Sequence, residues 1–157
     1  MKTALRRLLL LLALASGAAA AADSAPARPA APADTTLERA RAAIARSDWK
    51  GAQAILGDAV ARNPRNADYH NLYAYSVRKG PNPDMSLVFK EYNAALEIDP
   101  QHKGAHEYLG EAYLMVGNVA KAKEHLAQLD KICLFSCSEY TELKNAISAY
   151  ETKTVSK

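Results

Sequence analysis

The chain lacks local signatures of chemistry. Its 157 residues contain no serine or cysteine nucleophile motif, no glycine-rich phosphate loop and no His-Glu-x-x-His zinc motif. A site assembled across a fold leaves no such pattern, but nothing in the sequence argues for catalysis, and neither an enzyme nor a cofactor is expected. Cysteine occurs only twice, at Cys133 and Cys137, so a monomer has a single possible pairing. The unbroken apolar run from Leu8 to Ala15 is too short to span a bilayer. An excess of one charge is also missing. Of 20 basic and 17 acidic side chains, Lys2, Arg6 and Arg7 belong to the first 22 residues, and without them 17 face 17. A near-neutral chain gives no electrostatic reason to expect nucleic acid or an anionic membrane as partner.

The first residues are set apart from the rest. Lys2, Arg6 and Arg7 form a basic start, Leu8 to Ala15 an apolar middle, and Ala18 to Ala22 a small-residue end. This is the layout of a secretory signal peptide over 1–22, with cleavage after Ala20 or Ala22. Gly17 stands where a lipidated cysteine would be needed, so a protein without a stable membrane anchor, periplasmic or secreted, is expected. Residues 23–33 place Pro26, Pro29 and Pro32 at every third position with no large apolar side chain, and read as an extended Ala/Pro-rich linker.

From Asp34 the pattern turns helical. Asp34 or Thr35 caps a helix carrying Leu37, Ala40 and Ile44, and Ser47-Asp48 makes a turn. Trp49 to Arg62 forms a second helix with Ala52, Leu56 and Ala59 on one face. A second hairpin runs from Asn66 to Pro100, with Gly80 ending its first helix and Asp84 capping its second. A third starts at Lys103: His106-Glu107-Tyr108-Leu109-Gly110-Glu111-Ala112-Tyr113, a turn at Gly117-Asn118, then Ala122 and Leu126. Leu72 to Leu109 and Gly80 to Gly117 suggest a 37-residue spacing, with Pro81 to Pro83 as the insertion. A last helix from about Glu139 to Tyr150 presents Tyr140, Leu143, Ala146 and Ile147.

The spacing of Leu109-Gly110, Tyr113, Ala122 and Leu126 resembles the tetratricopeptide repeat, a helix–turn–helix unit of 34 residues. His106 departs from the leading Trp of that pattern. Ala52-x3-Leu56 with Pro64, and Ala95-Leu-Glu-Ile-Asp-Pro100, match its back half. The resemblance implies an all-α solenoid of three hairpins plus a C-terminal capping helix over 34–151, with 152–157 as a disordered tail. Gly110 and Ala122 are small where two helices are expected to touch.

It also implies a scaffold that binds a protein or peptide partner along the first helix of each hairpin. The facing positions so implied are Leu37 and Arg41; His70, Asn71 and Ala74; and Glu107, Tyr108 and Glu111. Some relatives clamp a peptide carboxylate with Lys and Asn. Arg41, Ala74 and Glu111 occupy the equivalent places here, so that specificity is not implied. Glu107 and Glu111 read as solvated acids. Tyr69, Tyr73, Tyr75, Tyr92, Tyr108 and Tyr113 read mostly as packing residues between hairpins.

His102 and His106 have the i, i+4 spacing of a metal pair, but Pro100 puts His102 at or before the helix start and no third ligand is fixed, so no metal is expected and surface or groove positions are. Cys133 and Cys137 are four apart, too far on a continuous helix for a disulfide. A pairing therefore requires Leu134-Phe135-Ser136 to turn, with Ser136 and Glu139 forming a capping box for the last helix. Two readings remain: a structural disulfide, expected in an oxidising compartment, or a thiol redox or copper-handling pair with Cys137 activated at a helix N-terminus.

Overall fold

A computed structural model describes residues 34–135 and 137–155. Among these, seven helices follow one another: α1 Thr35–Ala45, α2 Trp49–Arg62, α3 Ala67–Lys79, α4 Met85–Ile98, α5 Lys103–Met115, α6 Val119–Ile132 and α7 Ser138–Val155. They form an all-α helix–turn–helix solenoid of three hairpins closed by one further helix. Residues 1–33, covering the expected signal peptide and linker, lie outside the described residues.

Side-chain caps explain where the first six helices begin. Asp34 Oδ1 accepts from the backbone N–H groups of Thr36 and Leu37 at 2.9 and 3.2 Å. Asp48, Asn66, Asp84 and Asn118 do the same for α2, α3, α4 and α6. At α5 the cap is His102, whose Nδ1 accepts from Ala105 N at 3.1 Å. Each cap satisfies a donor that the helix itself leaves unpaired. The reversals inside the first and third hairpins share one hydrogen-bond pattern. Ser47 N and Asp48 N donate to Ile44 O and Ala43 O, as Gly117 N and Asn118 N do to Leu114 O and Tyr113 O. The pattern needs a left-handed residue, supplied by Ser47 at φ 57° and by Gly117 at φ 78°. The second hairpin differs: Gly80 has φ −71° and Asn82 takes the positive φ, 51°.

This difference corrects the repeat register. The caps of α3 and α5, Asn66 and His102, are 36 residues apart, while those of α4 and α6, Asp84 and Asn118, are 34 apart. His70 and His106 obey the 36-residue spacing, each with Nε2 3.0 Å from the carbonyl of a proline six residues back, Pro64 or Pro100. The insertion is therefore two residues, in the Gly80 to Pro83 turn, rather than three. Ala74, not Tyr73, is the counterpart of Gly110. Ala74 is fully buried in the central apolar cluster with Val88, Tyr92 and Leu109, and does not face the groove as expected.

Neighbouring helices stack in chain order, with α5 against α4, α6 and α7. Three apolar clusters result. One joins α1, α2 and the start of α3 around Leu37, Ala40 and Leu56. One joins α3, α4 and α5 around Val88, Tyr92 and Leu109. One joins α5, α6 and α7 around Leu114, Leu129, Leu143 and Ile147. Full burial of each large apolar side chain is worth roughly 1.5–3 kcal/mol.

Two further expectations change at the C-terminal end. Gly110 makes its close approach to α7 rather than to α6: a Cβ added there would lie 2.6 Å from Leu143 Cδ2. The last helix runs on to Val155, past the expected start of a frayed tail at Thr152. An ion pair from Lys123 of α6 to Glu151 at 2.6 Å ties that last part down, and Thr152 and Thr154 hydroxyls donate to carbonyls one turn back. Ser156 and Lys157 lie outside the described residues.

Candidate functional site

A line of contacts runs across the hairpins. Trp49, at the start of α2, meets Tyr75 of α3 edge-on with ring centroids 6.2 Å apart. Tyr75 lies 4.7 Å from Tyr108 of α5. The Arg78 guanidinium sits over both tyrosine rings, 5.5 and 5.7 Å from their centroids. Its Nε donates to the Tyr92 hydroxyl at 3.3 Å, and its Nη2 lies 2.7 Å from Glu111 Oε2. A buried cation is costly unless paired and hydrogen-bonded, and here it has an ion pair, a hydroxyl and two ring faces. Burial raises the Tyr108 hydroxyl to about 12 and Tyr92 further, so both remain neutral donors.

Arg78 and Glu111 also form one wall of a pocket of about 460 Å³, completed by Leu114, Met115, Ala146 and Tyr150. The α7 residues Ala146 and Tyr150 are four apart and share a face. Met115, 52 % exposed, supplies apolar surface at the rim. The pocket thus opens between α5 and α7, with an internally neutralised Arg–Glu pair beside an apolar wall. Arg78 is held in place from two sides, and the Tyr92 hydroxyl that accepts from it is fully buried.

One turn from the pocket lies Glu107, only 4 % exposed. Burial, a hydrogen bond to Glu142 and the charges of Glu142, Glu111 and Glu139 push its carboxyl up to about 8. The expectation that Glu107 and Glu111 are solvated acids is therefore overturned: the first is buried against α7 and the second is paired to Arg78.

The other expected groove residues divide. Tyr108 and Glu111 belong to the line of contacts. Arg41 is exposed on α1, 3.9 Å from Asp68, which also lies 3.4 Å from His102 Nε2. His70 is buried inside its own hairpin, its Nδ1 2.6 Å from Glu91 Oε2 and its Nε2 on Pro64 O. His70 thus links the backbone ahead of α3 to α4, and Lys90 Nζ lies 3.5 Å from Glu91 Oε1. Asn71 is buried too, with Nδ2 against Gly104 and Oδ1 unpaired.

Neither His102 nor His106 occupies the expected surface or groove position as a pair. His102 caps α5. His106 is buried, its Nδ1 3.0 Å from His125 Nδ1, whose ring stacks on Tyr113. Burial and the His106 neighbour lower His125 to about 4, so the pair is neutral and one Nδ1–H donates to the other nitrogen. His106 is therefore the counterpart of His70, with a histidine in place of Glu91 across the hairpin.

Cys133 and Cys137 form a disulfide with S–S 2.04 Å and Cα–Cα 5.7 Å. Cys133 is the C-cap of α6, and Thr141 N donates to Cys137 O in the first turn of α7. The chain bends at Leu134 and Phe135, whose side chains are 86 % and 91 % exposed. Ser136, and with it the expected capping box, lies outside the described residues. In this oxidised state neither sulfur is the thiolate that copper ligation requires.

Trp49, Arg78, Leu114, Met115 and Tyr150 were not marked as groove residues by sequence. The 36-residue cap spacing aligns Tyr75 with Glu111, and so would have marked Tyr75 as a groove residue; Arg78 aligns with Leu114, one turn further on.

No protein-family model matches the chain, and no curated protein matches it. Among solved structures it is similar to one titled the TPR2B-domain:pHsp70-complex of yeast Sti1, with TM-score 0.67 and 19 % identity over 76 % of this chain and 95 % of that one. At that identity the likeness speaks to the fold, and the fold is of the tetratricopeptide-repeat type.

Proposed function

We propose that this protein is an exported scaffold that holds a protein or peptide partner in the groove between α3, α5 and α7, with no catalysis of its own. The observation that carries the reading is the continuous line from Trp49 through Tyr75, Arg78 and Tyr108 to the pocket at Met115 and Tyr150. Aromatic rings and arginine supply large contact area at low conformational cost, which is why they concentrate in binding energy hot spots. The solved neighbour is itself titled a complex with pHsp70, which lends support by analogy of fold.

Export rests on the sequence of residues 1–22 and supports a periplasmic or secreted setting. The disulfide fits an oxidising compartment and favours a structural over a copper-handling role for the two cysteines.

A photo-crosslinking amino acid at Met115, with a control at the exposed Asp58 of α2, tests the groove in cells. A discrete adduct from position 115 that is lost when Tyr108→Ala is added, with none from position 58, is the expected result. Equal labelling from both positions would remove the groove from consideration. N-terminal sequencing of the same material is expected to begin near Ala21 or Asp23, and a start at Met1 would overturn export.

A further inference from the structure

The walls of the groove change character along their length. On α5, Glu107 and Glu111 are followed by Leu114 and Met115. On α7, Glu139 and Glu142 are followed by Ala146 and Tyr150. These residues recur at three- and four-residue steps, so each set forms one stripe along its helix. The two stripes belong together: α5 packs on α7 with Gly110 against Leu143, the carboxyls of Glu142, Glu139 and Glu111 act on Glu107, and Leu114, Met115, Ala146 and Tyr150 share one pocket. Acid therefore lies at one end and an apolar cavity at the other. The nearest cation in the wall, Arg78, is already taken by Glu111 at 2.7 Å.

We infer that the groove takes an extended segment of a partner protein carrying a lysine or arginine and, three residues away, one large apolar side chain. Charge complementarity selects the cation, because the acidic end presents the exposed Glu142 beside Glu139, while Glu111 is already paired to Arg78 and the buried Glu107 keeps its proton. The shallow apolar pocket selects the second side chain, since the exposed Met115, with Ala146 and Tyr150, offers it apolar surface. Spacing follows from helix geometry. From Glu142 to a point midway between Ala146 and Tyr150 is about six residues, roughly 9 Å at 1.5 Å per residue. A polyproline-type strand covers about 9 Å in one three-residue turn and returns its side chain to the same face. A cation and an apolar residue three apart on such a strand would reach both ends together.

The inference rests on the groove reading above, and the experiment separates the two. Three fluorescein-labelled peptides in a common Ala-Pro host carry Lys-x-x-Leu, Glu-x-x-Leu or Lys-x-x-Ser, and their binding to the purified protein is followed by fluorescence anisotropy. The Lys-x-x-Leu peptide is expected to bind at least about tenfold tighter than either other, and to weaken as salt rises. Glu142→Gln, at an exposed position, should reduce that preference, and Met115→Arg should abolish binding, both with the helical thermal transition intact. If Lys-x-x-Leu and Glu-x-x-Leu bind equally and both are lost in Met115→Arg, the basic–apolar inference fails while the groove reading stands. If neither substitution changes binding, both fail. No binding of the Lys-x-x-Leu peptide up to millimolar concentration overturns the inference as well.

Discussion

Glu107 holds its carboxyl where Glu142, Glu139 and Glu111 crowd it and water scarcely reaches. An acid whose folded value rises from 4.5 to about 8 keeps a proton that the unfolded chain releases. The folded state then binds more protons between those limits, so stability falls as pH climbs through that window and levels off above it. The slope should approach about 1.4 kcal/mol per pH unit. Urea unfolding at mildly acidic and mildly alkaline pH measures it, and Glu107→Gln should flatten the profile by removing the titration. An unchanged profile in the substituted protein would assign the effect to other groups. Gly110 makes a second residue-scale case. A methyl at this position would meet Leu143 at 2.6 Å, and Leu143 is fully buried, so it has little room to yield. Gly110→Ala is expected to cost about 1–3 kcal/mol by overpacking α5 against α7. A denaturation midpoint equal to the parent's would mean α7 moves freely.

At the scale of single elements, α7 is fixed by three unlike devices: the Gly110–Leu143 contact, the Lys123–Glu151 ion pair and the Cys133–Cys137 disulfide. The loop the disulfide closes is short, so the chain-entropy account gives only about 2 kcal/mol. Cys133→Ser with Cys137→Ser should therefore lower stability by about that amount while leaving the helical content in place, which denaturation followed by circular dichroism would show. A loss of α7's helical signal at low denaturant would make the bond a condition for α7 rather than a brace. The elements themselves were largely legible. Asp34, Asp84 and the Ser47-Asp48 turn announce helix boundaries through local hydrogen bonding, which needs no tertiary context. The disulfide and its turn were legible for a similar reason, since the reach of two cysteines four apart is a local constraint. The groove was not, because one residue of error in a repeat register rotates a helix by about 100°. Counting 37 instead of 36 placed the buried Ala74 in the groove and left Tyr75 out of it. The burial of His70 and Glu107 was hidden for a different cause: their partners Glu91 and Glu142 come from other helices.

Over the molecule as a whole, the three apolar clusters overlap only through neighbours. The first uses α1, α2 and α3, the second α3, α4 and α5, and the third α5, α6 and α7. Coupling of this kind makes stability close to a sum of units and their shared faces, so that one end can open without the other. Ending the chain after Ile132 tests this. It would remove Leu143 and Ile147 from the third cluster and leave Leu114 and Leu129 without their cover. It would also remove Ala146 and Tyr150 from the groove. Backbone hydrogen exchange in the shortened protein should accelerate throughout α6 and the second half of α5. Amides of α1 to α4, whose clusters contain nothing from α7, should keep most of their protection. Leu109 and Ala112 belong to the second cluster as well, so the boundary of fast exchange is expected within α5 rather than at its ends. Uniform acceleration from α1 to α6 would show that the hairpins unfold as one unit, and that α7 stabilises the entire stack rather than its last repeat.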